Sequence, residues 1–449
     1  MLRSFYETLN QVTNLSLLVA FNANIDSIKH LAKTEIQRII DNVDKERVKQ
    51  LMEFNIKTIR TKEDFVAAFL SAFKEGKPKE IPLGNNKLNE WFDSFIGIGY
   101  ERIGGQAGIV TNLMSTLGLK KIIFYTNPLP KQITDLMEKR NIFYPTITNG
   151  KLELKKVEEA ADEKIRPKIN RIFEYTKGTS VNLDKKKIIA KNSSRFIVAS
   201  RPDEVRICFD EKLSDHLEDL GKHIDGAFIS GFHSIKEKYS DGLTFEYYIS
   251  KNSEDLRKLK RKNRSLKIHM EMASLPDEEK RKYLIDEIFP VVDYVGMDNV
   301  ELNDVIYSVF RTRIDENDIR NVIKNLIDLI DVFNLEGIQL HTYNYMLLIS
   351  KKYEEAELTN ALDFGSILAA TKAALGKIAS ISDFMVGMKV PFNINGLKIE
   401  NELNKIRQNY EYSIGFLPTR MVENPRITVG LGDTLSSGIF VALLSSDNK

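Results

Sequence analysis

Short apolar runs of strand length recur along this chain, and most are followed by a stretch of helical periodicity. That alternation limits the fold more than any other feature of the sequence. Strands are predicted at 15–21, 121–125, 226–230, 266–272, 294–295, 337–341, 346–350 and 427–431, and helices at 108–117, 316–333, 365–381 and 435–444. Strands that alternate with helices pair in parallel and carry helices on both faces, which predicts an α/β fold built on a doubly wound, mainly parallel sheet.

Two regions break the rhythm. Residues 27–101 look helical, and Phe65, Phe69 and Phe73 fall four apart on one face before Gly76 and Pro78 end the pattern. Residues 167–209 alternate as strands do, at 169–175, 195–198 and 205–209. Insertions of such different character predict a smaller α+β lid of residues 27–101 and 167–209. The discontinuous large domain is then 1–26, 102–166 and 210–449. At 449 residues the chain is long enough for two unequal domains.

Charge and cysteine content exclude several classes. Lys and Arg total 65 against 63 Asp and Glu, so no overall field draws the chain to nucleic acid. The basic run Arg257–Arg264 reads as the solvated C-terminal end of a helix. A single cysteine, Cys208, excludes an internal disulfide and a cysteine-built zinc cage. The apolar run at 15–21 is too short to span a membrane. The expectation is a cytoplasmic chain, monomeric or a small homo-oligomer, with small-molecule partners.

In an open α/β sheet ligands bind beyond the carboxyl ends of the strands, so the residues after each predicted strand matter most. After the first comes Asn22-Ala23-Asn24-Ile25-Asp26, whose polar side chains share a face if the backbone is extended. They suit sugar hydroxyls or an Asx-rich turn. Gly104-Gly105-Gln106 opens a helix and lets backbone amides meet a ligand. His269 and Glu271 share one face of a strand, and Asp298-Asn299-Val300-Glu301 follows the next. These carboxylates can hold Mg²⁺ or serve as caps. His341-Thr342-Tyr343 ends another strand and lines either a base pocket or the core. Near the C-terminus, Gly430-Leu431-Gly432-Asp433 separates β-branched Ile427-Thr428-Val429 from an apolar helix. Asp433 there is either an N-cap or a base facing an anion site made by helix amides. Several polar strand ends beside a Gly-x-Gly-Asp turn favour a kinase-like site.

Taken in order, these segments resemble the motifs of the ADP-dependent glucokinase and phosphofructokinase family of the ribokinase-like superfamily, and most of all its archaeal phosphofructokinase members. The resemblance runs from Phe21 to Gly438. It implies a ribokinase-like domain with a lid, ADP as phosphoryl donor, and Mg²⁺. Asp433 takes the acceptor proton, and the amides of residues 430–433, Gly430 and Gly432 among them, form an anion hole. Glu271 and Glu301, with Asp298, position the metal mainly through water. Asn24, Asp26, Gly104, Gly105 and Gln106 hold the sugar. Arg201 meets the ADP phosphates, and His341, Thr342 and Val429 lie near the adenine. One motif departs: Asp298-Asn299 stands where the family usually has Asn-Glu.

The acceptor is read from the lid. Glucose-specific members are implied to use a lid glutamate, whereas this chain has Phe69-Leu70-Ser71-Ala72-Phe73 there, with no acid from Phe69 until Glu75. Lys168, Lys177 and Arg195 are candidates for a 6-phosphate. Fructose 6-phosphate is therefore the expected acceptor, with glucose as a possible second. An ATP-dependent kinase of the same superfamily and a non-catalytic nucleotide or sugar sensor are the rival readings.

Overall fold

A computed structural model describes residues 2–315 and 317–447. The described residues form a ten-stranded sheet. Its order is Ser413–Pro418, Tyr345–Ser350, Gly337–His341, Tyr294–Asp298, Lys267–Glu271, Gly226–Ser230, Ser16–Phe21, Lys121–Tyr125, Ile142–Thr148, Lys151–Lys156. From Gly337–His341 across to Ile142–Thr148 every neighbour is parallel, and both edges are closed by antiparallel pairs.

Alternation along a strand shows why the sheet is doubly wound. Leu17 and Val19 pack into one apolar layer, while Leu18 and Ala20 pack into the other. The first layer holds the helices Gln106–Leu117, Glu355–Leu375 and Leu431–Asp447. The second holds Phe245–Arg261, Glu278–Ile288, Asn299–Phe310 and Ile319–Phe333. With both faces covered, all backbone groups of the central strands pair within the ladder, and the open positions lie at the carboxyl edge.

A second, five-stranded sheet runs Lys79–Pro82, Ser194–Ala199, Ile169–Tyr175, Asn24–His30, Tyr100–Gly104. One face is sealed by the helix Lys62–Glu75, whose Phe65, Phe69 and Phe73 meet Phe173, Tyr175 and Phe196. Thr61 and Asp64 cap the start of that helix reciprocally, and Gly76 at φ 68° ends it. Asp26 and Asn170 stand in register on neighbouring strands, so their side chains share a face.

Several sequence expectations fail. Residues 427–431 are no strand. Gly430 turns at φ 71° and the helix begins at Leu431, so the β-branched Ile427, Thr428 and Val429 line a cavity wall instead. Residues 205–209 make only a single bridge, Arg206 to Asn127, while Ile207, Cys208 and Phe209 turn into the large core. The helix placed at 365–381 starts at Glu355 and stops at Leu375, where Gly376 adopts φ 84°. The 27–101 segment is not purely helical, because Asn24–His30, Lys79–Pro82 and Tyr100–Gly104 are strands of the smaller sheet. The helix expected from residue 316 begins at Ile319; Glu316 itself lies outside the described residues. Among the described residues no helix is long and apolar enough to cross a membrane.

Candidate active site

The carboxyl edge of the large sheet gathers most of the predicted residues. At the end of Ser16–Phe21 the chain crosses into the smaller sheet through Asn22 and Ala23. Asn24 Nδ2 donates to Asp26 Oδ1 at 2.7 Å, and Arg102 Nη2 lies 3.6 Å from Asp26 Oδ2. Burial raises the Asp26 carboxyl, against the pull of Arg102, Asn24 and Lys168. Gly104 is required at its place, since a Cβ there would fall 2.4 Å from both Asn24 Nδ2 and Asp26 Oδ1. Gly105, at φ 73°, starts the helix of Gln106. Gln106 Nε2 donates to the Met272 carbonyl at 3.1 Å, and its Oε1 has no partner among the described residues.

Asp433 stands in the first turn of Leu431–Asp447, one residue after Gly432, whose missing Cβ leaves room for His341 Nε2. Burial raises the Asp433 carboxyl, while the Lys372 ammonium and the Gln106 amide hold it back. Lys372 comes from the end of Glu355–Leu375. Its Nζ donates to the Gly430 carbonyl at 3.0 Å and to Thr434 Oγ1 at 3.1 Å, which braces the turn before the helix. Burial brings Lys372 down to about 8.

Beside Asp433 lies a group of carboxylates. Glu271, on a central strand, accepts from Ser436 Oγ at 3.0 Å and pairs with His269 Nε2 at 2.9 Å. His269 is fixed in turn by stacking on Phe228. Burial, and then the charges of Asp433, Glu301 and Asp298, push Glu271 well above the carboxylate range. Glu301 is pushed up to about 7 by burial and Asp298. Asp298 and Glu301 also form a capping box, with Glu301 N to Asp298 Oδ1 at 2.8 Å and Asp298 N to Glu301 Oε2 at 3.0 Å. Among the described residues no group of three or more His, Cys, Asp or Glu closes around a metal directly. The hard oxygen donors and their mutual repulsion suit a divalent cation reached partly through water.

The other end of the edge is cationic. Lys168 is buried; its Nζ donates to Asn22 Oδ1 and to Ser234 Oγ, each at 3.1 Å. Burial and the neighbouring Arg201 lower it to about 8. Arg201 thus stands near Lys168 and His233, and its charge acts on both. Lys177 and Arg195 are not brought to this group. Lys177 is exposed on the turn after Ile169–Tyr175, at the far end of the strand that Lys168 precedes. Arg195 pairs in register with Glu174, about 20 Å along the strand from Lys168 at about 3.3 Å per residue. Its Nη1 donates to Thr428 Oγ1 at 2.9 Å across a cavity of about 940 Å³, also lined by Lys372, Val429 and Thr434. Thr342 holds its own turn, bonding to Tyr345 and the amide of Asn344. His341 packs against the Gly432 side of the loop, and its Nδ1 has no partner among the described residues.

Sequence reasoning missed Lys372 and His233. Lys372 sits inside a helix with no motif around it, and no sequence signal marks it. His233 follows the strand Gly226–Ser230 by three residues and obeys the strand-end rule that found the other residues.

A mainly parallel, doubly wound sheet, with a glycine turn, an aspartate and a helix N-terminus at its carboxyl edge, is the ribokinase-like kinase fold. The chain belongs to the ADP-specific phosphofructokinase/glucokinase family, whose conserved region matches residues 15–442. It is 41% identical to the ADP-specific phosphofructokinase of Pyrococcus furiosus, over 97% of this chain and 98% of that one. A crystal structure of a phosphofructokinase from Pyrococcus horikoshii with AMP superposes with a TM-score of 0.87 at 38% identity, covering 97% of this chain and 99% of the other. The ADP-dependent glucose/glucosamine kinase of Pyrococcus abyssi is 30% identical over 99% of this chain and 98% of its own.

Proposed function

We infer that this chain is an ADP-dependent 6-phosphofructokinase, which transfers the β-phosphoryl of ADP to the 1-hydroxyl of fructose 6-phosphate to give AMP and fructose 1,6-bisphosphate. The single observation that carries the acceptor is the buried Lys168 beside Arg201, at the same strand edge as Asn24 and Asp26. A buried lysine beside a half-buried arginine suits a phosphate dianion, whereas a neutral hexose has no use for the pair. Arg201 is accordingly assigned to the acceptor phosphate.

Asn24, Asp26, Gly105 and Gln106 hold and orient the sugar ring. The hydroxyl oxygen, set near Asp433, attacks the β-phosphorus as its proton passes to the Asp433 carboxylate, and the bond from that phosphorus to the AMP oxygen breaks. Catalysis is mainly positioning and electrostatics, as expected for phosphoryl transfer. The amides of Gly430–Asp433 face the transferring group, and Lys372 keeps that turn closed. His341 and Val429 flank the donor from opposite sides of the turn. Glu271 and Glu301, with Asp298, hold Mg²⁺, which neutralises charge on the diphosphate when bound. The smaller sheet, hinged where Asn24–His30 and Tyr100–Gly104 leave the large core, acts as a lid that excludes water.

AMP release tests the reading, with Mg²⁺ and ADP supplied with either fructose 6-phosphate or glucose, and with ATP as the alternative donor. AMP formed with fructose 6-phosphate and little with glucose is expected. Turnover with glucose alone defeats the assignment of Lys168 and Arg201, and turnover with ATP alone defeats that of the donor.

A further inference from the structure

His233 and Ser234 close a short turn, Phe232–Ser234, directly after a central strand. Ser234 Oγ lies between two neighbours: it accepts from Lys168 Nζ at 3.1 Å and stands 3.2 Å from His233 Nε2. The lysine has only protons to give, so the serine oxygen must accept there. Its own proton is then free to point at Nε2. With Nε2 accepting that proton, the imidazole's own proton resides on Nδ1. Nδ1 is shielded from solvent and meets no acceptor among the described residues. The ring is held neutral, since burial and the charges of Lys168 and Arg201 bring it down to about 3.

A shielded N–H with no acceptor costs stability unless a ligand supplies one. Here it lies beside two cations already assigned to a phosphate. A phosphate offers three terminal oxygens, and two cations do not exhaust them. A third cation would be repelled by the first two, whereas a neutral donor adds a hydrogen bond without that penalty.

We propose that His233 is a substrate-binding, specificity-determining residue that donates Nδ1–H to the acceptor's phosphate, with Ser234 as the positioning residue that fixes its tautomer. The proposal rests on the reading of Lys168 and Arg201 as the phosphate grip and deepens it. The chain from Lys168 through Ser234 to His233 couples a charged contact to a neutral one, so that both present donors to the same group.

The test is steady-state kinetics with varied fructose 6-phosphate and varied ADP. In His233→Ala the KM for fructose 6-phosphate should rise about tenfold, as expected for one lost hydrogen bond to a charged group, with the KM for ADP unmoved. His233→Asn, whose amide nitrogen falls near the position of Nδ1, should recover most of the loss. Ser234→Ala should raise the same KM by about threefold, since the tautomer is then unfixed. A ring that only fills space predicts equal changes in both KM values and no rescue by Asn, and that result overturns the proposal. Lys168→Met separates the two levels. If it raises the KM for fructose 6-phosphate while His233→Ala does not, His233 has no such role and the function stands. If Lys168→Met leaves that KM unchanged, the phosphate grip itself is wrong.

Discussion

The two ends of the site are buried alike and charged oppositely. At one end Lys168, Arg201 and the neutral His233 crowd together, and burial drives the lysine and the histidine toward their uncharged forms. At the other, Asp433, Glu271, Glu301 and Asp298 crowd together, and burial drives Asp433, Glu271 and Glu301 toward protonation. Each cluster is expensive alone, because like charges in a desolvated site repel. Each becomes favourable with a ligand of the other sign: a phosphate at the first, a divalent cation at the second. Opposite charge at the two ends sets the direction in which acceptor and donor must lie.

The largest expected effect falls on Asp433, in the anionic cluster. Asp433→Ala should lower kcat by about 10²–10⁴-fold, the range a positioned general base supplies, with the KM for fructose 6-phosphate nearly unchanged. Steady-state rates of AMP formation give both numbers. If the KM rose and kcat held, Asp433 would belong to the acceptor cluster and the contrast between the two ends would fail.

The cationic end should show itself in pH dependence. A lysine unperturbed at 10.5 stays charged through the neutral and alkaline range, but Lys168 is held at about 8 in the ligand-free protein. Phosphate binds the protonated form, so as pH rises through 8 the free enzyme loses the charge that binding needs. The KM for fructose 6-phosphate should then climb about tenfold per unit above that point. Lys168→Met should start from a KM about 30-fold higher and lose this alkaline limb. A limb appearing only in kcat would point to Lys372, which is also held near 8 but braces the Gly430 turn.

Much of the ten-stranded sheet was readable in the sequence because its strands obey a local rule. The strands Lys121–Tyr125, Gly226–Ser230 and Gly337–His341 begin and end where apolar content predicts. Glu271 and Asp433 stood out because Glu271 ends a strand and Asp433 follows a glycine turn. The smaller sheet was harder. Its strands come from five separated segments, and Asn24–His30 and Tyr100–Gly104 each carry polar residues that pair only in the folded chain. The run Ile427-Thr428-Val429 has strong strand character and still forms none, since the sheet edge is closed by Ser413–Pro418 and Gly430 turns the chain into a helix. Arg195 and Lys177 looked equivalent to Lys168 in composition, and register alone separates them.

That register yields the smallest of the expected effects. Arg195 reaches from the strand Ser194–Ala199 to Thr428, on the loop that leads into Gly430, and this bond is exposed. An exposed bond of this kind contributes about 0.5–1 kcal/mol, so Thr428→Val should raise the KM for ADP by no more than about fivefold, through a looser lid. The KM for fructose 6-phosphate should stay as it was, because Lys168 and Arg195 are separated by most of a strand's length. Arg195→Met should behave like Thr428→Val if the arginine acts only through this bond. If Arg195→Met instead matched Lys168→Met in its effect on fructose 6-phosphate, the lid would swing far enough on closing to bring Arg195 to the phosphate. The cationic end would then be completed by lid closure, while the anionic end, built wholly on the large sheet and its helices, would already be in place.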